Sequence, residues 1–168
     1  MVARKLVLSG LVAVLSMSSS YAREAWIVRQ NGVGPVKVGM SLTKLNAVLH
    51  ERFTMPKNKG EQGCFYVKSK AHPHLLFMIE DRHVARVDVD GAGLTTSKGV
   101  QVGDSEERVK QIYGSALKIE PHHYTDGHYL TLNSAGGSYG VRFETEKEKV
   151  ERFYAGRFQA IQYVEGCQ

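Results

Sequence analysis

The sequence predicts an α+β fold made by tandem duplication of one unit, a helix followed by a three- to four-stranded antiparallel meander. Three observations carry that prediction. First, Val38-Gly39-Met40-Ser41-Leu42 returns 64 residues later as Val102-Gly103-Asp104-Ser105-Glu106. Second, each motif runs into apolar positions at helical spacing. Third, each helical pattern is followed by three strand-like runs. The offset extends beyond the motif: Gly63 falls on Gly127, Phe65 on Tyr129, Phe77 on Val141, Ile79 on Phe143 and Glu80 on Glu144. After a two-residue slip, Val84 and Arg86 fall on Val150 and Arg152. Self-similarity on this scale marks two copies of one supersecondary unit.

The elements follow in order. Arg4 and Lys5, the apolar run Leu6 to Met17 and the small residues of Ser20-Tyr21-Ala22 predict a secretory signal over residues 1–22. About 12 apolar residues fall short of the ~20 that a spanning helix needs, so no membrane span is expected. Residues 23–94 form the first repeat and 95–168 the second. Trp26 to Val38 reads as an extended lead-in with turns at Asn31-Gly32 and Gly34-Pro35. Ser41 is placed to cap a helix whose stripe is Leu42, Leu45, Val48 and Leu49. In the second copy, Glu106 and Glu107 suit the N-terminal dipole, and Val109, Ile112 and Tyr113 repeat the stripe up to a stop at Gly114. Strands are expected at Cys64-Val67, Leu75-Ile79 and Val84-Val89, then at His128-Leu132, Tyr139-Glu144 and Val150-Tyr154. A last strand is expected over Ala160-Val164. Leu94 to Gly99 joins the copies.

Composition narrows the function classes. The chain has 168 residues, 42% of them hydrophobic, enough for one ordinary core. Loss of residues 1–22 lowers the formal charge from +5 to +3, with 20 basic residues against 17 acidic. Those charges are interspersed, which argues against a nucleic-acid partner. Cys64 and Cys167 are the two cysteines, and in an oxidising compartment an even pair predicts one disulfide.

The duplication also predicts faces, because equivalent residues should point the same way. Phe77, Ile79, Val141 and Phe143, with Val87 and Phe153, read as the core beneath the helices. The alternating set contains Leu76, Met78, Arg86, Gly140, Arg142 and Arg152. If Phe65 and Tyr129 are equivalent, and Tyr129 points outward from Tyr129-Leu130-Thr131-Leu132, both join that set. The helices cover one face of each sheet, and the two sheets can run edge to edge into one. The other face is then open, and its aromatic, Met and Arg content matches protein interfaces. The candidate binding residues are Phe65, Met78, Arg86, Tyr129, Arg142, Arg152 and Tyr154. On this reading, replacing Tyr129 or Arg152 spares stability.

Patterns for chemistry are weak. His122, His123 and His128 surround Asp126, while His72, His74 and His83 lie near turns, but none has the spacing of a zinc motif. Gly103-Asp104-Ser105 lacks the second glycine of a nucleophile elbow. Asp88 with Asp90, and Glu144 with Glu146, could each share a strand face as a glycosidase pair, although exposed strand charges are commoner. No metal, cofactor or catalytic set is expected.

Val38-Gly39-Met40-Ser41 with Leu45, and Val102-Gly103-Asp104-Ser105 with Val109, resemble the helix-opening motif of small exported proteins. These are the β-lactamase-inhibitor-protein type and the related outer-membrane assembly lipoproteins. The resemblance implies a Gly-Met-Ser/Thr turn opening a helix on a small antiparallel sheet. In the inhibitor family the unit occurs twice, and its sheets form a concave surface that grips an enzyme without chemistry. This chain departs in Asp104, and in having a single cysteine pair where the inhibitor family has a disulfide in each copy. It also lacks the single copy and lipidated cysteine of the assembly lipoproteins.

The expectation is therefore a periplasmic or secreted, non-enzymatic protein-binding module. Its partner is another protein, and inhibition of a hydrolase such as a peptidoglycan-degrading enzyme is one form of that role. An envelope-assembly or structural accessory protein is the alternative, and a small hydrolase or metal-binding protein using the histidines stands third.

Overall fold

A computed structural model describes residues 26–167; the expected signal segment lies outside the described residues. The fold is α+β. Its main sheet holds seven strands in the order β4-β5-β6-β11-β10-β9-β8. These are β4 (Cys64–Lys68), β5 (Leu75–Glu80), β6 (His83–Val89), β8 (Leu117–Pro121), β9 (His128–Asn133), β10 (Tyr139–Glu146) and β11 (Lys149–Arg157). The two meanders join through antiparallel pairing of β6 with β11, Phe153 opposite Val89 and Gly156 opposite Arg86. Gly156 permits that approach, since a Cβ there would lie 2.4 Å from the Ala85 carbonyl oxygen.

Two eight-residue helices, α1 (Leu42–Leu49) and α2 (Glu106–Tyr113), cover one face. The repeated motif sets their position. Gly39 and Gly103 take φ values of 88° and 91°, a region that favours glycine. The Gly39 amide donates to Val84 O at 2.7 Å, and the Gly103 amide to Val150 O at 2.8 Å. Leu42 N then bonds Arg82 O, and Glu106 N bonds Glu148 O, both at 2.8 Å. Ser41 Oγ accepts from the Lys44 amide, as expected, and Ser105 Oγ from the Arg108 amide, so each helix is capped by the serine of its motif. The motif thus ties each helix start to the β5–β6 or β10–β11 hairpin. Each hairpin bends at the same place, with bulges at Met78/Ile79 and Glu144/Thr145.

Beneath the helices lies one continuous core. Leu45, Phe77, Ile79, Val87, Val109, Phe143 and Phe153 are fully enclosed in it, and Val141 is buried beside them. A second sheet has the order β3-β2-β1-β7, formed by β1 (Ile27–Arg29), β2 (Gly32–Val33), β3 (Val36–Lys37) and β7 (Thr95–Thr96). The extended lead-in is therefore three short strands. The joining segment returns beside them, since β7 runs parallel to β1.

Three expectations are corrected. Residues 160–164 do not form a strand. Ala160–Gln162 is a single 3-10 turn with Ala160 and Ile161 buried, because the chain dives onto the sheet instead of extending it. Strand β8, missed in the sequence, pairs with β9 and forms an edge. Finally, Phe65 is not equivalent to Tyr129. Phe65 pairs with Ile79 on the helix side, whereas Tyr129 pairs with Glu144 on the other. The strands before each hairpin are displaced by an odd number of residues, and a one-residue slip exchanges sheet faces.

Candidate binding face

The face away from the helices is crossed by the chain's own C-terminal segment. Ala160 packs on Met78 and Ala85. Ile161 sits over Gly140, where a Cβ would approach its Cδ1 to 2.5 Å. The segment ends in the Cys64–Cys167 disulfide, whose cysteines are 103 residues apart in sequence and 5.3 Å apart between Cα atoms. Only with that strap in place is the polar chemistry of the face complete.

Arg86 is at the centre. Two residues apart on β6, Arg86 and Asp88 share a face, and their side chains form a fork. Nε donates to Asp88 Oδ1 at 2.8 Å and Nη2 to Oδ2 at 2.7 Å. The Tyr66 hydroxyl accepts from Arg86 Nη2 at 2.6 Å and donates to Asp88 Oδ2 at 3.3 Å. Arg86 Nη1 reaches up to the strap, donating to Ala160 O at 2.9 Å and Tyr163 O at 3.3 Å. Its guanidinium also lies 4.1 Å from the Tyr154 ring centroid, a favourable cation–π placement. Burial pushes the Asp88 carboxyl up from its ordinary value, against the opposing pull of Arg86 and Tyr66. Burial likewise raises the Tyr66 and Tyr154 phenols.

A second cluster lies on β9 and β10. Arg142 Nε donates to Thr131 Oγ1 at 2.9 Å, and its Nη2 binds Gln162 of the strap. The guanidinium is 5.0 Å from the Tyr129 ring centroid, and His122 stacks on that ring at 4.5 Å. The buried Tyr129 hydroxyl has no hydrogen-bond partner among the described residues. Between the clusters, Glu144 accepts from the Tyr154 hydroxyl at 2.9 Å and pairs with Arg152 Nε at 3.4 Å.

Strap and sheet leave a cleft of about 310 Å3 between Tyr66, Asp88, Tyr154 and Val164–Gly166, with Arg152 lining it. The Arg152 side chain is 61% exposed. Tyr124, 67% exposed, hydrogen-bonds Glu165 of the strap, and Tyr163 of the strap is also exposed.

The seven expected binding residues therefore divide. Met78, Arg86, Tyr129, Arg142, Arg152 and Tyr154 lie on the face away from the helices; Phe65 does not. Met78, Arg86, Tyr129, Arg142 and Tyr154 are buried within that face, so the open-face picture is corrected: the strap occupies ground that sequence reasoning left free. Tyr129 is accordingly a core residue, and the expectation that its loss spares stability is withdrawn. Sequence reasoning missed Tyr66, Asp88 and Glu144 as partners of the arginines. The two-residue spacing of Arg86 and Asp88 was the available signal.

Of the residues weighed for chemistry, Asp88, Asp90 and Glu144 line the strapped cleft, and His122 Nε2 lies 3.8 Å from Glu144; the others are dispersed. Asp90 pairs with His74 at 3.0 Å and Lys68 at 3.6 Å. His128 Nδ1 meets Glu106 at 3.0 Å, His72 packs at a tilt against Trp26 with ring centroids 3.8 Å apart, and His83 Nδ1 lies 2.7 Å from Asp81 O. Among the described residues no group of three or more His, Cys, Asp or Glu side chains is arranged to hold a metal ion. No described helix is long and apolar enough to cross a membrane.

Geometry thus defines a duplicated α+β protein with a strapped sheet face. No family model and no curated protein matches the chain. Among solved structures, a DUF4309 family protein, YjgB from Bacillus subtilis subsp. subtilis str. 168, is similar in fold. It matches with a TM-score of 0.50 at 11% identity, over 79% of this chain and 88% of that one. At that identity the likeness concerns fold alone.

Proposed function

We propose that this chain is an exported, non-enzymatic protein-binding module, acting in the periplasm or outside the cell through the strapped face. The binding surface is the exposed rim around the cleft, led by Arg152 and Tyr124, and not the buried arginines beneath it. The single observation that carries this reading is the placement of those exposed Arg and Tyr side chains beside a cleft whose walls are held by buried hydrogen bonds and the disulfide. Arg and Tyr are the residue types that dominate binding energy at interfaces, and fixed surroundings lower the ordering cost of association. The disulfide supports an oxidising compartment. Inhibition of an envelope hydrolase is the specific form of this role that we put forward.

The test is capture from envelope and secreted fractions with the intact chain, beside Arg152→Glu and Tyr124→Ala. A discrete protein should be retained by the parent and lost from both variants, and its hydrolytic activity should fall when the parent is added. Retention of the same partners by both variants overturns the proposal.

A further inference from the structure

A second groove, of about 490 Å3, lies on the helix side of the molecule, between the small sheet and the second repeat. That volume is within the range of small-molecule sites. We propose that this groove binds a small organic anion, a carboxylate carried on an apolar body. The site is separate from the strapped face and does not depend on the function proposed for it.

Its lining is divided by chemistry. Val28, Leu132 and Val141 supply apolar surface, and Tyr113 and Tyr139 add two aromatic rings. Tyr113 is held in place, since its hydroxyl donates to the buried Thr96 Oγ1 at 3.0 Å. Arg29 and Lys98 bring two positive charges, and no Asp or Glu lines the groove. Both cations are exposed. Lys98 Nζ lies 5.3 Å from the Tyr113 ring centroid. Among the described residues, neither Arg29 nor Lys98 has a carboxylate within salt-bridge distance. Arg86, Arg108, Arg142, Arg152 and Arg157 each have one, while Arg52 and Arg82, like Arg29, do not. An apolar body beneath two uncommitted cations is complementary to an amphipathic anion.

The duplication supplies an independent argument. In the first copy Ser69 bonds Leu75 through its amide at 3.0 Å, where the second copy pairs Leu132 with Val141. At that place the first copy puts a carboxylate of its own. Glu51 accepts from the Ser69 hydroxyl at 2.7 Å and from the Lys70 amide at 3.0 Å. The residue 64 positions after Glu51 is Ser115, so the second copy brings no acid from its own helix end. Arg29 of β1 and Lys98 of the joining segment stand at the neighbouring groove instead. Where the first copy fills the position with its own carboxylate, the groove beside the second copy holds cations that would receive one from outside.

The test is an NMR titration of the isotope-labelled full chain with 3-phenylpropionate and with its neutral counterpart 3-phenylpropanol. Saturable shifts are expected at the methyls of Val28, Leu132 and Val141 and at the Lys98 amide, with the acid binding about tenfold more tightly than the alcohol. Arg29→Gln combined with Lys98→Gln should abolish that preference while leaving the melting temperature unchanged, since both side chains are exposed. Equal binding of acid and alcohol, shifts scattered away from the groove, no saturation at millimolar acid, or a preference that survives in the double variant would each overturn the proposal.

Discussion

Single residues show how closely this sheet is packed and which charges depend on it. At Gly127 an added Cβ would lie 1.6 Å from the Thr145 carbonyl oxygen, whereas at Gly136 it would meet nothing within 4 Å. Gly127→Ala should therefore unfold the chain or lower its melting temperature steeply, and Gly136→Ala should leave it nearly unchanged in the same thermal scan. Tyr129 separates packing from polarity. Tyr129→Ala should cost roughly 3–5 kcal/mol in chemical denaturation, as for other large buried aromatics. Tyr129→Phe should be neutral or slightly stabilising, because the hydroxyl it removes is buried without a partner. Glu106 makes a pH prediction. Burial tends to raise its carboxyl, but bonds from Lys110, Thr145 and His128 outweigh that and hold it below its ordinary value. A lowered folded-state value means the stabilisation is present above the ordinary carboxylate range and is lost as pH falls through the folded value. Glu106→Gln should flatten the acid limb of a stability-against-pH curve; an unchanged limb would refute this assignment.

At the scale of elements, the strap is the decisive piece. It is held by burial of Ala160 and Ile161, by two carbonyls on Arg86 and by the disulfide. Closing a loop of this length stabilises by roughly 4–5 kcal/mol in the chain-entropy model. Cys64→Ser with Cys167→Ser should lower the denaturation midpoint accordingly, and reduction of the parent should add the mass of two hydrogens. The helices owe their place to the repeated motif. Neither is long enough to persist in isolation, since helices below ~12–15 residues are marginal in water. Docking on the hairpins through Gly39 and Gly103, with Leu45 and Val109 buried beneath, is what keeps them.

Over the whole molecule, the two copies share one sheet and one core. The β6–β11 ladder, with four residue pairs against five to eight in the pairings within each copy, joins the meanders, and one buried cluster runs through both, so neither repeat has a core of its own to retain. Leu45→Ala in the first copy and Val109→Ala in the second should each lower one common calorimetric transition. Two separable transitions would show that the copies unfold independently. The same union places the strap. It reaches from the end of the second copy across the junction to Cys64 in the first, which ties the molecule along its length.

Local pattern was enough for much of this. The motif, its glycines and its capping serines set the helix starts, because capping and left-handed backbone depend on neighbours in sequence. The alternation of β5, β6, β10 and β11 placed Phe77, Ile79, Val87, Phe143 and Phe153 correctly, because a strand's two faces follow from its own period. The single disulfide followed from the count of cysteines and the expected compartment. Other features had no local signal. Equating Phe65 with Tyr129 put Phe65 on the wrong face, because strand register depends on the partner strand and an odd displacement between the copies is invisible to a repeat read at one offset. The strap reads as a strand in sequence, since Ala160-Val164 is mostly apolar whether it extends a sheet or lies across one. With the strap came the burial of Arg86, Arg142, Tyr129 and Tyr154. Sequence by itself determined the duplicated helix-and-meander unit; only tertiary structure decided which sheet face is left to solvent, because that depends on where a distant piece of chain comes to rest.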